Sequence, residues 1–195
     1  MGGAITPIYI YGFHPNGHEV AEIVQATYQR QLTPTLSVSA AAGPLFIQAS
    51  SPVFGSIQDT SYAVNASLSR QIRQSQFAVG YGRAFVVNLL SPAVVSNEVN
   101  FSAYQPLRNR WIVVGNATYV HETGSGLYGS ANIYGGTGEI AYQVASKMQF
   151  FARYSLLSQH FNRETSLQSY GFTRNQIGGG IRFNIGNPIT RGGVQ

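Results

Sequence analysis

Cysteine is absent from the 195 residues. That excludes a disulfide scaffold and any cysteine-based zinc site, and it fits an exported chain that avoids oxidative mispairing. Charge is scarce as well. Asp, Glu, Lys and Arg together make up 10% of the chain, whereas a soluble domain carries about 25%. Long apolar runs are missing. The stretches such as 111–114 fall far short of the ~20 residues a transmembrane helix needs. The first residues, MGGAITPIY, show no basic segment followed by an apolar core, so no secretory signal is visible and an exported form would be the chain after its removal. Helical periodicity is nearly absent too. The net charge is +5, but a nucleic-acid partner calls for basic residues clustered on one face with aromatics between them. The basic residues here are not clustered that way.

What is present is alternation. The stretch 136–157, GTGEIAYQVASKMQFFARYSLL, places Ile140, Tyr142 and Val144 against Glu139, Ala141, Gln143 and Ala145. After Ser146-Lys147, Met148, Phe150, Ala152, Tyr154 and Leu156 alternate with Gln149, Phe151, Arg153 and Ser155. Period 2 on both arms of a tight polar turn predicts an antiparallel hairpin. Three further pairs repeat the scheme. Their arms are 19–31 with 35–42, 61–72 with 77–82, and 98–103 with 111–119, turning at Thr33-Pro34, Arg73-Gln74 and Arg108-Asn109. A last strand is expected over roughly 172–185, and 4–12 is a candidate first strand weakened by Pro7. Between the pairs the sequence predicts long loops at 43–60, 84–94, 121–135 and 158–170, on the strength of their Pro, Gly and Ser.

The residues before the short turns, Leu32, Ile72, Leu107 and Ala145, recur too irregularly for a propeller or solenoid. The pattern predicts an antiparallel up-and-down β-barrel of about ten strands (eight to twelve), with short turns at one end and long loops at the other. Residues 1–18 would be an N-terminal segment, 19–185 the barrel and 186–195 a tail.

The polar half of each strand decides what surrounds the barrel. A face meeting water is rich in Lys, Glu, Asp and Arg. Here it is Gln, Ser, Asn, Thr, Ala and Gly, which suits a narrow lumen where neutral groups hydrogen-bond one another. The apolar half carries an aromatic girdle: Tyr28, Tyr62, Tyr81, Trp111, Tyr119, Tyr142, Phe150, Tyr154 and Phe183. Trp111 and Tyr119 share a face eight residues apart, which projects to about 20 Å along a tilted barrel, against an expected apolar band of ~25 Å.

These segments resemble bacterial outer-membrane β-barrel proteins over most of 19–185, and NQIGGGIRFNI resembles the terminal strand of such barrels. Phe183 is followed by further residues, unlike the family's C-terminal aromatic. The resemblance implies an outer-membrane location, a lipid bilayer as partner, the short turns on the periplasmic side, and a small pore or structural membrane protein without catalysis. A barrel of this size is nearly filled by its side chains, so small ions are the most it would pass. A soluble or self-assembling β-structure, such as a tube or shell subunit, is the alternative, and a membrane-barrel enzyme is a third reading.

Charges sort by end. Arg30, Arg70, Arg73, Arg108, Arg110 and Lys147 flank the short turns, and the seven acids sit in or near the predicted long loops. Four charges have lumen parity: Glu98, Glu139, Arg153 and Arg182. Such charges should pair across the interior or bear on ion selectivity. Sites for other chemistry are weak. His14 and His18 lack a third metal ligand. His121 with Ser125 or Ser130 is the nearest approach to a nucleophile–base pair. The glycine runs at 135–138 and 178–180 precede no helix and form no phosphate loop. No cofactor or metal is expected.

Overall fold

Alternating, β-branched and aromatic sequence with short polar turns yields ten antiparallel strands in a computed structural model, which describes residues 2–14, 17–51, 55–88, 91–107, 110–124, 129–162 and 170–183. The strands are β1 (Gly2–His14), β2 (Gly17–Thr33), β3 (Leu36–Ser51), β4 (Gly55–Ile72), β5 (Ser75–Asn88), β6 (Ser91–Pro106), β7 (Trp111–Gly124), β8 (Ser130–Ala145), β9 (Met148–Asn162) and β10 (Tyr170–Phe183). They form one up-and-down sheet in chain order. The candidate first strand is β1, paired with β2 from Gly2↔Gln29 to His14↔Gly17. Pro7 sits within that ladder, opposite Val24. The tail 186–195, the Arg108-Asn109 turn and Glu164 lie outside the described residues.

The predicted long loops are mostly strand. β3 runs on to Ser51 and β4 begins at Gly55, so 43–60 is a hairpin. Likewise β5–β6 pairing reaches Asn88↔Ser91, and β7–β8 pairing reaches Thr123↔Ser130. β9 pairs with β10 as far as Phe161↔Tyr170. Proline misled the reading at Pro44. Its missing N–H falls where the β2–β3 ladder is interrupted, between Ile23↔Leu45 and Ala26↔Ala42, so no hydrogen bond is lost. Its neighbour Gly43 passes so close to β2 that a Cβ would collide with the Val24 carbonyl.

The sheet is rolled and open. β3 comes within 8 Å of β6 (Cα–Cα) although β4 and β5 lie between. Three strand spacings on a flat sheet would separate them by about 14 Å. The concave side is the neutral-polar one. Gln31, Ser37, Ser69, Gln76, Ser102 and Asn116, from β2 through β7, line a single cavity of about 360 Å³ on it. At the other edge, every described residue of β10 from 171 to 183 is exposed on both faces. Among the described residues no ladder joins β10 to β1, so the sheet does not close into the expected barrel.

The buried core is small and lies on the concave side, beyond the Gly43 bend from the short turns. It consists of Ala21, Ile23, Leu45, Ile47, Ala63 and Phe85, each at most 4% exposed. Period-2 counting from Val79 and Tyr81 would put Phe85 on the other face. β5 leaves β4 after the Val64↔Arg83 pair while staying paired with β6, and Phe85 joins the core there.

The Gly43 contact yields a test. Gly43→Ala should destabilise the fold by about 1–3 kcal/mol, the range for forced overpacking, while Gly82→Ala, which meets open space, should cost well under half of that. Urea unfolding followed by Trp111 fluorescence measures both. Equal midpoints for the two variants would remove the close approach as a constraint.

Candidate functional site

Pairing fixes which side chains share a face. The concave row Ser37–Ser69–Ala78–Ser102–Asn116–Thr137–Ser155–Gln176 runs across β3 to β10, each residue directly opposite the next. Small hydroxyls satisfy one another along it. Ser37 and Ser69 meet at 2.6 Å, Ser39 and Ser67 at 2.7 Å, and Asn116 Nδ2 donates to Thr137 Oγ1 at 3.2 Å. A second concave cavity of about 350 Å³ is lined by Thr118, Thr137, Ser155, Arg174 and Gln176.

Three of the four charges assigned this parity from the sequence come together at its far end. Glu139 on β8 accepts from Arg153 Nη2 at 2.7 Å and from Arg182 Nη2 at 3.2 Å. Arg153 Nε adds a second bond at 3.0 Å. Arg182 also donates to Gln149 Oε1 at 3.2 Å and lies over the Phe151 ring at 4.8 Å. The carboxylate side chain is only 10% exposed and the two guanidinium side chains about half exposed. One acid therefore holds two cations, and the cluster straps β10 to β8 across β9. Glu98, on β6, stands apart and accepts from Asn100 Nδ2 at 3.4 Å.

The convex face is apolar and exposed. Each of the nine girdle residues lies on it. Trp111 packs on Tyr142 with ring centroids 4.8 Å apart. Eight residues further along both strands, Tyr119 packs on Tyr134 at 5.0 Å. Between these two ring pairs β7 and β8 present only Val113, Gly115, Ala117, Gly136, Gly138 and Ile140 outward. Tyr28, Tyr62, Tyr81, Phe150, Tyr154 and Phe183 are all exposed, Phe183 at 62%.

A hydrogen bond recurs on this face in alternate hairpins. Tyr81 donates to Asn97 Oδ1 at 3.1 Å, Tyr119 to Asn132 Oδ1 at 2.8 Å, and Tyr154 to Asn175 Oδ1 at 2.7 Å. In each case the asparagine lies on the next strand, two residues beyond the tyrosine's own partner and away from the short turns. The phenol rings stay among apolar neighbours while the hydroxyls reach a polar level, the behaviour of an amphipathic side chain at a boundary.

His121 belongs to that polar level. Asn132 Oδ1 can only accept, so His121 Nδ1 donates to it at 2.9 Å. Nε2 is then an acceptor, and Thr123 Oγ1 donates to it at 3.3 Å. The imidazole's partner is thus Thr123, while Ser130 sits opposite Thr123 on β8 and Ser125 lies outside the described residues. His160 meets Ser158 Oγ at 3.3 Å. The side chains of His14 and His18 lie outside the described residues.

Sequence reasoning missed Arg83, Arg174 and Tyr134. Arg83 donates to Asn97 Oδ1 at 3.0 Å, reaches Ser61 Oγ at 3.4 Å and covers the Tyr62 ring at 4.3 Å. It falls just past the end of the predicted 77–82 arm, and Tyr134 sits in what the sequence marked as a loop. Arg174 has the parity of Gln176 and Arg182 and was legible from that alternation alone. The chain matches no protein-family model and no curated protein.

The charge cluster is testable through the mobility of β10. Arg182→Ala should speed amide exchange in β10 at least threefold, and Glu139→Ala should cost about 1–3 kcal/mol, as expected when two charge-assisted donors lose their acceptor. Gln176→Ala is the control. If it loosens β10 as much as Arg182→Ala does, the cluster is not what holds the strand.

Proposed function

We propose that this chain is a membrane-spanning β-barrel of the bacterial outer-membrane kind, a small pore or structural membrane protein without catalysis. Its convex face meets lipid and its neutral-polar face lines a lumen. The observation that carries this reading is the inversion of the sheet: large apolar and aromatic side chains are exposed on the convex face, while the concave one holds mainly uncharged polar groups, one charge cluster and a small apolar core. A water-soluble protein rarely exposes an apolar surface of this extent. The same inversion disfavours the tube or shell reading, which would still leave that face to be covered.

Strand tilt supports the barrel. Along the concave row, Ser37 stands two residues past the Pro34-Thr35 turn and Ser155 eight past the Ser146-Lys147 turn. Those six residues accrue over six strands, β3 to β9. A stagger of one residue per strand corresponds to a tilt of about 35°, within the barrel range. At that tilt the Trp111–Tyr142 and Tyr119–Tyr134 pairs stand about 22 Å apart along the axis, close to the ~25 Å of an outer-membrane apolar band. The Tyr–Asn bonds then mark the boundary on the loop side, and the basic residues at the short turns flank the other.

The same stagger sets how the edges would close. Paired residues lead from Ile5 on β1 through Ala26, Ala42, Val64, Arg83, Asn97, His121, Asn132 and His160 to Gly171 on β10. Ten one-residue steps bring Ile5 opposite Ile181 and Thr6 opposite Gly180. This register keeps polar parity facing polar parity, which an odd shift would not.

The test is cross-linking, which the absence of native cysteine makes clean. The Ile5→Cys/Ile181→Cys variant, folded in detergent and run as a heat-modifiable band, should form an intramolecular disulfide. Ile5→Cys/Ile177→Cys should not. A protein that stays monomeric and soluble without detergent contradicts the membrane reading. Disulfides formed only between two chains would contradict closure of β1 on β10.

A further inference from the structure

The concave face is not uniform along its length, and this has a functional consequence that rests on the barrel reading. Between the short turns and Gly43 it carries Gln25, Thr27, Gln29, Ser37, Ser39 and Ala41, all at least partly accessible. Beyond Gly43 the same face turns apolar and closes: Ala21 and Leu45 are at 0% exposure, Ile47 and Ala63 at 1%. The approach of β3 to within 8 Å of β6 is too near for a round ten-stranded barrel, where strands three places apart stand about 15 Å apart across the chord. The lumen is therefore not round, and beyond Gly43 apolar side chains fill it on the β2–β4 side. Val94 and Ser96 of β6 are buried as well.

We infer that the lumen is a dead-end vestibule, open to water and small ions at the short-turn end and sealed toward the other end by the cluster of Ile23, Leu45, Ile47, Ala63 and Phe85. Water needs two to four polar partners to occupy a confined site, and this cluster offers none from its side chains, so it excludes water and the ions that travel with it, as hydrophobic constrictions do in channels. The cavities of about 360 Å³, lined by Gln31, Ser37, Ser69, Gln76 and Ser102, and about 350 Å³, lined by Thr118, Thr137, Ser155, Arg174 and Gln176, are wettable parts. Phe85 is the element able to move. It stands on the segment of β5 that has left β4 after Arg83, so displacing it breaks no β4–β5 backbone hydrogen bond. The seal is thus a gate whose moving part is Phe85 with its stretch of β5, while β6 stays paired with β7 as far as Val94.

Two measurements test this. In planar bilayers the wild-type chain should be silent most of the time. Phe85→Ala and Leu45→Ser should each raise the open fraction at least tenfold, while the convex-face variant Phe101→Ala should leave it unchanged. Steady wild-type conductance unaffected by Phe85→Ala and Leu45→Ser overturns the gate. The second measurement needs no current. In proteoliposomes, Ser39→Cys should react with a membrane-impermeant thiol reagent only from the side that labels Lys147→Cys in the short turn. Reaction of Ser39→Cys from both sides overturns the seal even where the variants of the first experiment fold poorly. Heat-modifiable migration and detergent dependence of each variant report insertion separately. Loss of insertion in the wild-type chain removes the barrel reading and the gate with it, whereas two-sided labelling with insertion intact removes the gate alone.

Discussion

The constraint on which everything else depends is the pairing of period-2 alternation with an inverted choice of side chains. Residues directly opposite in the ladders share a face, and a slip of one residue would exchange the faces throughout. Here one face is Ser, Thr, Asn, Gln and Gly, and the other Val, Ala, Leu, Phe, Tyr and Trp. Small neutral groups on the concave side allow the sheet to roll and satisfy one another, as in the Ser37–Ser69 and Ser39–Ser67 contacts. A charge on that side needs company, and Glu139 has it in Arg153 and Arg182.

Tilt and girdle are consequences of the same ladders. One residue of stagger per strand turns a row of side chains into a helix around the sheet, so residues at one height are not those directly paired. Allowing for that, Trp111, Tyr142, Phe150 and Phe183 gather near the short turns, and Tyr62, Tyr119 and Tyr134 gather about eight residues higher. Tyr81 and Tyr154 fall just short of the upper level and reach it through their hydroxyls, by way of Asn97 and Asn175. Gly43 lets β3 approach β2, and the core beyond it closes the concave face.

Much of this was legible in the sequence wherever alternation was unbroken. The hairpin of β8 and β9 gave its turn, its two faces and the parity of Glu139, Arg153 and Arg182 directly. The extent of the strands was not legible. Pro44 and Gly43 read as loop because turn chemistry was taken to break pairing, whereas Pro44 sits at a gap in its ladder and β3 runs on to Ser51. Phe85 could not be placed, because its parity changes meaning once β5 parts from β4. The Tyr–Asn bonds were invisible for another reason: a diagonal contact exists only once register is known, and no spacing within one strand contains it.

The central claim is that the exposed apolar face of this sheet lies in hydrocarbon. The chain contains a single tryptophan, Trp111, on that face beside Tyr142, so its fluorescence reports the claim without any substitution. In proteoliposomes made with brominated lipids, bromines at shallow acyl positions should quench Trp111 strongly and bromines near the bilayer centre weakly, as a residue at the edge of the apolar band requires. Emission unchanged by bromines at any depth, from a chain that remains folded and soluble without lipid or detergent, would contradict it.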